Sequence, residues 1–423
     1  MQREMSELAI FNGQPTISIP GPHCVWPRIT DAVRQAVMNQ LEESISIYNR
    51  SGIFERFEDA FVQYHGDTQS QALLQNSGTS ALWSMFVGAD LQPGDEVICP
   101  SYSFYATYSP LMMTGAVPVF CDSNEDGNID PTQIESLITK NTKAVVVTHM
   151  WGIPCDMPTI KEICNRHDLL LFEDCSHAHG AEIGGKKVGT WGDAAVWSLQ
   201  GQKIITGGEG GILLTRNEEI FTRALLLGQY NKRPKQQMSP DHPLYKFALT
   251  GFGLKLRAHP LAIAMAMEQF SHLDVWITQK QSYATKLEES LSVFPFLRMP
   301  KYQGKPAWYA FVFQFDEEKA QGVTIKRFEE ALHAEGLVEV DRPGSTCPNH
   351  VLPLFTRPDE ILPHLYPEPL SQQGPLPKAE KFYRQVIKLP VWAFPDEAHW
   401  VEKYIAGITK VAQVIQDNPE LLR

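Results

Sequence analysis

The residues with the most chemistry in reach sit in one stretch, Trp197-Ser198-Leu199-Gln200-Gly201-Gln202-Lys203-Ile204-Ile205-Thr206-Gly207-Gly208-Glu209-Gly210-Gly211. The run from Ala194 to Leu199 reads as a buried strand. A polar turn carrying one lysine follows, then four glycines around one glutamate, then a second apolar run from Ile212 to Leu214. A lysine enclosed between buried strands loses its proton more easily, because desolvation disfavours the ammonium, and the neutral amine condenses with carbonyls. An exposed hairpin lysine beside a glycine-rich turn has the same pattern, and this stretch alone does not separate the two.

Two more stretches carry reactive types. Phe172-Glu173-Asp174-Cys175-Ser176-His177-Ala178-His179-Gly180 places two carboxylates and two histidines just after a wholly apolar run. A carboxylate there could hold a metal, orient a histidine or pair with a cationic ring nitrogen. His177 and His179 are two apart, which does not suit a helix-borne metal pair, and no metal site is expected. Ser77-Gly78-Thr79 precedes a helical pattern at Leu82, Met85 and Phe86. It therefore opens a helix whose free amides and dipole favour an anion, although a plain cap uses the same residues.

The elements that must hold these stretches follow from periodicity. Short apolar runs at 96–99, 117–121, 144–148 and 169–172 alternate with helical patterns at 104–114, 131–138 and 157–166. This is the pattern of a mostly parallel sheet covered by helices on both faces, an α/β fold, in which ligands lie beyond the carboxyl ends of the strands. That rule selects 149–152, 173–179 and 198–203. Ahead of this region, residues 1–30 read as a proline-broken arm, and helices are expected from Asp31 to Asn49 and from Phe54 to Tyr64. Residues 229–259 lose periodicity. One long helix is expected from Pro260 to about Leu291, bridging to a smaller α+β C-terminal domain with a strand over 308–315 and a last helix from Asp396. The boundaries are 1–30 for the arm, 31–258 for the large domain and 259–423 for the bridge and small domain.

The totals restrict the function. The chain has 423 residues, a net charge of −12 and 43% apolar residues, so a large core forms and neither nucleic acid nor a membrane surface is the expected partner. Seven cysteines without a Cys-x-x-Cys pair fit reduced thiols and a cytoplasmic location.

In order and spacing, Ser77-Gly78-Thr79-Ser80-Ala81, Glu173 to Ala181, and Ser198-x4-Lys203-x5-Glu209-Gly210-Gly211 resemble the DegT/DnrJ/EryC1/StrS family of sugar aminotransferases. The resemblance implies a pyridoxal-phosphate enzyme with the type I, aspartate-aminotransferase fold. It implies that Lys203 holds the cofactor as an imine and shuttles protons, with pyridoxamine phosphate formed during turnover. Asp174 matches the carboxylate facing the pyridine nitrogen, Gly78, Thr79 and Ser198 the phosphate cup, and Phe104 the aromatic that stacks on the ring. The implied partners are an amino-acid donor, glutamate or glutamine, a keto-sugar, nucleotide-linked keto-sugar or keto-cyclitol acceptor, and a second copy in a homodimer. Substrate-facing positions are expected at Trp151, near Tyr230 and in the loop from Pro343 to Leu354 with His350.

The chain departs from the family pattern at His177, where glutamine is usual and where a histidine could still donate to the cofactor's phenolic oxygen, and at Gly253, in a segment where an asparagine often reaches the neighbouring subunit's phosphate. Members that remove a hydroxyl carry histidine at the lysine position, and Lys203 speaks against that branch. Other chemistry on the same cofactor, and a non-catalytic regulatory role, are the alternatives. A dinucleotide-binding fingerprint is excluded, because the glycine cluster precedes a strand instead of opening a helix.

Overall fold

The computed structural model describes residues 8–66, 68–370 and 374–423. The first seven residues of the expected arm lie outside them, as do residues 67 and 371–373. Seven strands form the central sheet: β1 (Gln71–Gln75), β2 (Glu96–Pro100), β3 (Val117–Cys121), β4 (Thr142–Thr148), β5 (Leu170–Asp174), β6 (Ala194–Ser198) and β7 (Gly211–Thr215). Their order is β1-β7-β6-β5-β4-β2-β3. Only β7 runs antiparallel to its neighbours, β1 and β6; the other pairs are parallel.

The strands read as near-continuous apolar runs because both faces are covered. One face buries Ile98, Val145, Val147 and Leu171 under α2 (Gly52–His65), α4 (Pro131–Leu137), α5 (Met157–Arg166) and α7 (Pro260–Phe270). The other buries Val97, Val146 and Phe172 under α3 (Gly78–Gly88) and α6 (Glu218–Gly228). A third core lies around a three-stranded antiparallel sheet, β8 (Leu297–Arg298), β9 (Phe311–Phe315) and β10 (Val386–Leu389), under α9 (Ile325–Ala334) and α10 (Ala398–Asp417). The remaining α-helices among the described residues are α1 (Asp31–Glu43), α8 (Leu273–Leu291) and three shorter ones, Lys232–Gln237, Pro353–Thr356 and Pro377–Gln385.

The arm folds back on its own chain. Leu8 and Ile17 are buried in the third core. Glu335 accepts from the backbone of Ala9 at 2.8 Å, from the backbone and hydroxyl of Thr16, and from Lys410.

Several elements differ from the sequence expectation, each for a local reason. Helix α1 stops at Glu43 instead of Asn49, where the Gln40 amide donates to the Ser44 carbonyl at 2.7 Å and the Ser44 hydroxyl accepts from Ser46. The expected helix over 104–114 is a short strand, Tyr102–Phe104, followed by two 3₁₀ turns. Pro110 has no N–H to give a helix there, and Tyr102–Phe104 pairs with Thr346–Pro348. The expected helix from Pro260 to Leu291 breaks into α7 and α8, where the Ser271 hydroxyl donates to the Glu268 carbonyl at 2.7 Å. Inside the polar segment 229–259, Arg233 is buried and bonds the buried Glu58 at 2.7 Å.

Candidate active site

The carboxyl ends of β5 and β6 open into a cavity of ≈ 1060 Å³. All seven residues nominated from the sequence, Gly78, Thr79, Phe104, Asp174, His177, Ser198 and Lys203, lie on its wall. The loop from Leu199 to Gly210 joins antiparallel neighbours β6 and β7 and is closed by its own backbone. Leu199 N–H donates to the Gly210 carbonyl at 2.8 Å, Gly207 N–H to Leu199 at 3.0 Å, and Lys203 N–H to Gln200 at 2.8 Å. Lys203 therefore sits on a fixed turn.

The Lys203 amine is enclosed, and desolvation brings its pKa down from 10.5 to about 8 against the opposing charge of Asp174. Its Nζ lies 4.7 Å from the centre of the Tyr309 ring. Asp174, 4% exposed, takes 2.6 Å from the Thr107 hydroxyl on one oxygen and 3.0 Å from the Ser176 N–H on the other. His177 is buried and stacks on Tyr309, its Nδ1 has no partner among the described residues, and burial with the Lys203 charge holds its pKa well below 6.5. Burial first, then the same charge, pushes His179 down to about 3. Both imidazoles are neutral at physiological pH.

The start of α3 forms the opposite wall. Ser77 caps the helix by accepting from Ser80 N–H at 3.0 Å, while the amides of Gly78 and Thr79 belong to the first turn, which has no intrahelical acceptors. The packing here admits only glycine. A Cβ on Gly78 would lie 2.7 Å from the Ser198 Cβ, and one on Gly211 would lie 2.3 Å from the Ser77 carbonyl. Phe104 is 37% exposed and lies against Tyr105.

Trp151 and the loop residues Pro343 to Thr346 also face the cavity, as expected. Tyr230 and His350 do not. Tyr230 packs on Tyr48 with ring centroids 5.2 Å apart, and the buried His350 bonds the Ser101 hydroxyl at 2.8 Å. Trp26, Thr107, Lys280 and Tyr309 line the cavity without having been singled out. Thr107 lies three residues after Phe104; the other three carry no spacing signal.

Glu173 and Asp174 diverge. Successive side chains of a strand point to opposite faces, and Glu173 points away from the cavity. It accepts from the backbone of Gly189 at 2.7 Å, Trp191 at 2.9 Å and Gly192 at 2.7 Å, and it pairs with His149 Nε2 at 3.2 Å. His149 Nδ1 accepts from Cys155 N–H, so Nε2 carries the proton that Glu173 receives. Cys175 completes a buried group close enough together for a metal, but both Glu173 oxygens are already filled and the group reads as structural.

The model of the DegT/DnrJ/EryC1/StrS aminotransferase family matches residues 28–399. The chain belongs to this family. It is 31% identical over 416 residues to a putative L-glutamine:3-amino-2,3-dideoxy-scyllo-inosose aminotransferase of Micromonospora echinospora, covering 95% of this chain and 93% of that one. It is 32% identical over 345 residues to the L-glutamine:2-deoxy-scyllo-inosose aminotransferase of Streptomyces kanamyceticus, covering 79% and 80%. The fold superposes on the aminotransferase from Psychrobacter cryohalolentis with a TM-score of 0.80 at 24% identity, covering 94% of this chain and 100% of that one. The protein is an aminotransferase, and the family implies pyridoxal phosphate. The residues present fit that group: an enclosed amine, a buried carboxylate and a helix start share one cavity, and the glycine at that start lets it close on Ser198, where a Cβ would lie 2.7 Å from the Ser198 Cβ and push the two apart. Among the described residues no helix is long and apolar enough to cross a membrane.

Proposed function

We propose that the protein transfers an amino group from glutamine or glutamate to a keto-sugar, nucleotide-linked keto-sugar or keto-cyclitol, with Lys203 as the reactive amine. One observation carries the reading: the Lys203 side chain, the buried carboxylate of Asp174 and the start of α3 line one cavity, where enclosure lowers the lysine's pKa. When bound, pyridoxal phosphate supplies an aldehyde that takes up amines and a ring that accepts electrons. Gly78, Thr79 and Ser198 would hold its phosphate, Asp174 its ring nitrogen, His177 its ring oxygen, and Phe104 its face.

The chain's own part is proton handling. Near pH 7 a lysine with a pKa of about 8 is neutral in roughly one molecule in ten, so Lys203 both accepts and returns a proton at modest cost. Neutral His177 donates or accepts a hydrogen bond without adding charge beside it. The relatives named for glutamine and scyllo-inosose derivatives support the donor and the cyclitol class of acceptor. We further infer an arm over 1–30, a large unit over 31–258, a smaller unit from 259, a cytoplasmic location and a homodimer. The homodimer is supported by the exposed Leu249 and Phe252, at 60% and 72%.

The experiment is an absorption spectrum of the cofactor-loaded protein before and after glutamine or glutamate, followed by product analysis with keto-cyclitol and nucleotide-linked keto-sugar acceptors. A donor-dependent shift and an aminated acceptor support the reading. An unchanged band, or full turnover in Lys203→Ala, sinks it.

A further inference from the structure

The N-terminal arm reaches the reactive lysine. The indole N–H of Trp26 donates to the main-chain carbonyl of Lys203 at 2.8 Å, across 177 residues of sequence. Trp26 is itself held on several sides. Its ring meets Trp276 of α8 edge-on at 5.4 Å, and the buried Lys280 of the same helix places Nζ 5.3 Å from the ring centre. Lys280 donates in turn to the carbonyls of Val391, at 2.5 Å, and Trp308, at 3.3 Å, in the segments beside β10 and β9.

The residues around Trp26 are clamped to the same C-terminal layer. Glu339 accepts from the N–H groups of His23 and Cys24, and the Trp392 indole donates to the His23 carbonyl at 3.0 Å. On the outer side, Arg28 bonds Asp396 and Glu397, each at 3.0 Å, and covers the Phe394 ring at 3.7 Å. Residues 23–28 thus form a strap from the C-terminal sheet to the turn that carries Lys203.

We propose that Trp26 is a positioning residue for Lys203, and that the strap makes the arm a working part of the active site. The inference rests on the reading of Lys203 as the reactive amine. A lysine that takes a proton from one atom and returns it to another needs a fixed pivot, because a displacement of about 1 Å costs up to about 100-fold in rate. The indole bond supplies that pivot at the backbone, and the Trp26 ring helps close the wall that keeps water from the amine.

The test replaces the donor and keeps the aromatic ring. Trp26→Phe is compared with wild type in the cofactor-free protein by the pH dependence of Lys203 acylation, read by peptide mass spectrometry, and in the loaded enzyme by kcat and KM. The expected result is a Lys203 midpoint raised by about one pH unit, because a turn released from the indole bond moves the amine toward water. The expected kinetic effect is a kcat reduced about tenfold or more, with the donor KM changed less than about twofold.

If Trp26→Phe does not fold, Arg28→Ala loosens the strap from its exposed end and should shift the same midpoint in the same direction. Unchanged midpoint and kcat in the folded variant, or in Arg28→Ala when Trp26→Phe fails to fold, overturn the proposal. Lys203→Ala separates this failure from failure of the underlying reading: an active Lys203→Ala removes both, whereas an inactive one beside a normal Trp26→Phe removes only the strap.

Discussion

His177 and Tyr309 are stacked, their ring centroids 3.9 Å apart and their planes 7° from parallel. Tyr309 also offers its ring to Lys203, with Nζ 4.7 Å from the centroid. The ring has two opposed effects on the lysine. Cation–π attraction favours the ammonium by about 0.5–2 kcal/mol, while enclosure disfavours it. The pKa falls to about 8, so enclosure wins.

Tyr309→Ala should therefore raise the Lys203 pKa toward 10.5 and let His177 move up toward 6.5. The neutral fraction of Lys203 near pH 7 then drops, and kcat/KM falls about tenfold or more, with the pH–rate profile displaced to higher pH. Tyr309→Phe keeps the stack and loses only the 3.3 Å bond to Gln202. Its profile should overlay wild type, and a Phe variant as impaired as Ala would show that the hydroxyl is what matters.

Lys203 should also weaken the fold near neutral pH. Its pKa is about 8 folded and 10.5 in its ordinary state. Between those values the unfolded chain binds more protons, so stability rises with pH across that window, and below it the full penalty applies. The shift corresponds to about 3 kcal/mol, reduced to about 2 kcal/mol because the residue keeps some contact with solvent. Cofactor-free Lys203→Met should accordingly be more stable than wild type by about 2 kcal/mol near pH 7, and the advantage should shrink toward pH 10. Its transaminase turnover should fall by about 1000-fold or more. Urea melts at the two pH values check the first claim; a variant less stable near pH 7 would refute it.

The sequence made the core of the site legible for a physical reason. Residue types that do chemistry stand out where strands end, and the ends of parallel strands converge on one crevice. Asp174, His177 and Lys203 were picked out that way, the start of α3 by its cap residues ahead of a helical pattern, and the sheet followed from its apolar runs; the roles of these residues came from the family resemblance. Trp26 and Tyr309 were not found, because aromatic residues at such distances look like ordinary core. The break between α7 and α8 was hidden because no glycine or proline marks it; a serine hydroxyl turned on its own helix ends α7. His350 was misplaced because a histidine in a loop invites a ligand, whereas the fold gives it Ser101.

Gly78 is a steric requirement that the cofactor cup shares with the sheet. An added Cβ would sit 2.7 Å from the Ser198 Cβ and 3.1 Å from its Cα, and the Cα belongs to the end of β6 and cannot give way cheaply. Gly78→Ala should cost about 1–3 kcal/mol of stability through overpacking. It should also weaken binding of pyridoxal phosphate about tenfold or more by pushing the first turn of α3 away from Ser198. Adding Ser198→Gly removes the nearest atom and should recover part of the stability but not the binding, since the hydroxyl goes with it. Fluorescence titration with the cofactor, run beside urea melts of the single and double variants, separates the two effects; additive losses in the double variant would mean that the contact is not the cause.

Glu173 is Asp174's neighbour in sequence and its opposite in role, and substitution should show the difference. Its two oxygens, fully buried, receive the backbone N–H groups of Gly189, Trp191 and Gly192 and the buried His149 ring. In Glu173→Gln one oxygen becomes an NH₂ group, and in either orientation it faces two donors. A buried clash of this kind, with the loss of a charged acceptor, should cost about 3 kcal/mol. The lost bonds hold the loop at 189–192 and the end of β4, on the side of the sheet away from the cavity. At a temperature where both proteins are folded, turnover should therefore fall by less than about threefold, whereas Asp174→Asn should lose most of its activity with little change in melting. Equal stability of Glu173→Gln and wild type, or a loss of turnover matching Asp174→Asn, would mean that the two carboxylates do not divide their work by sheet face.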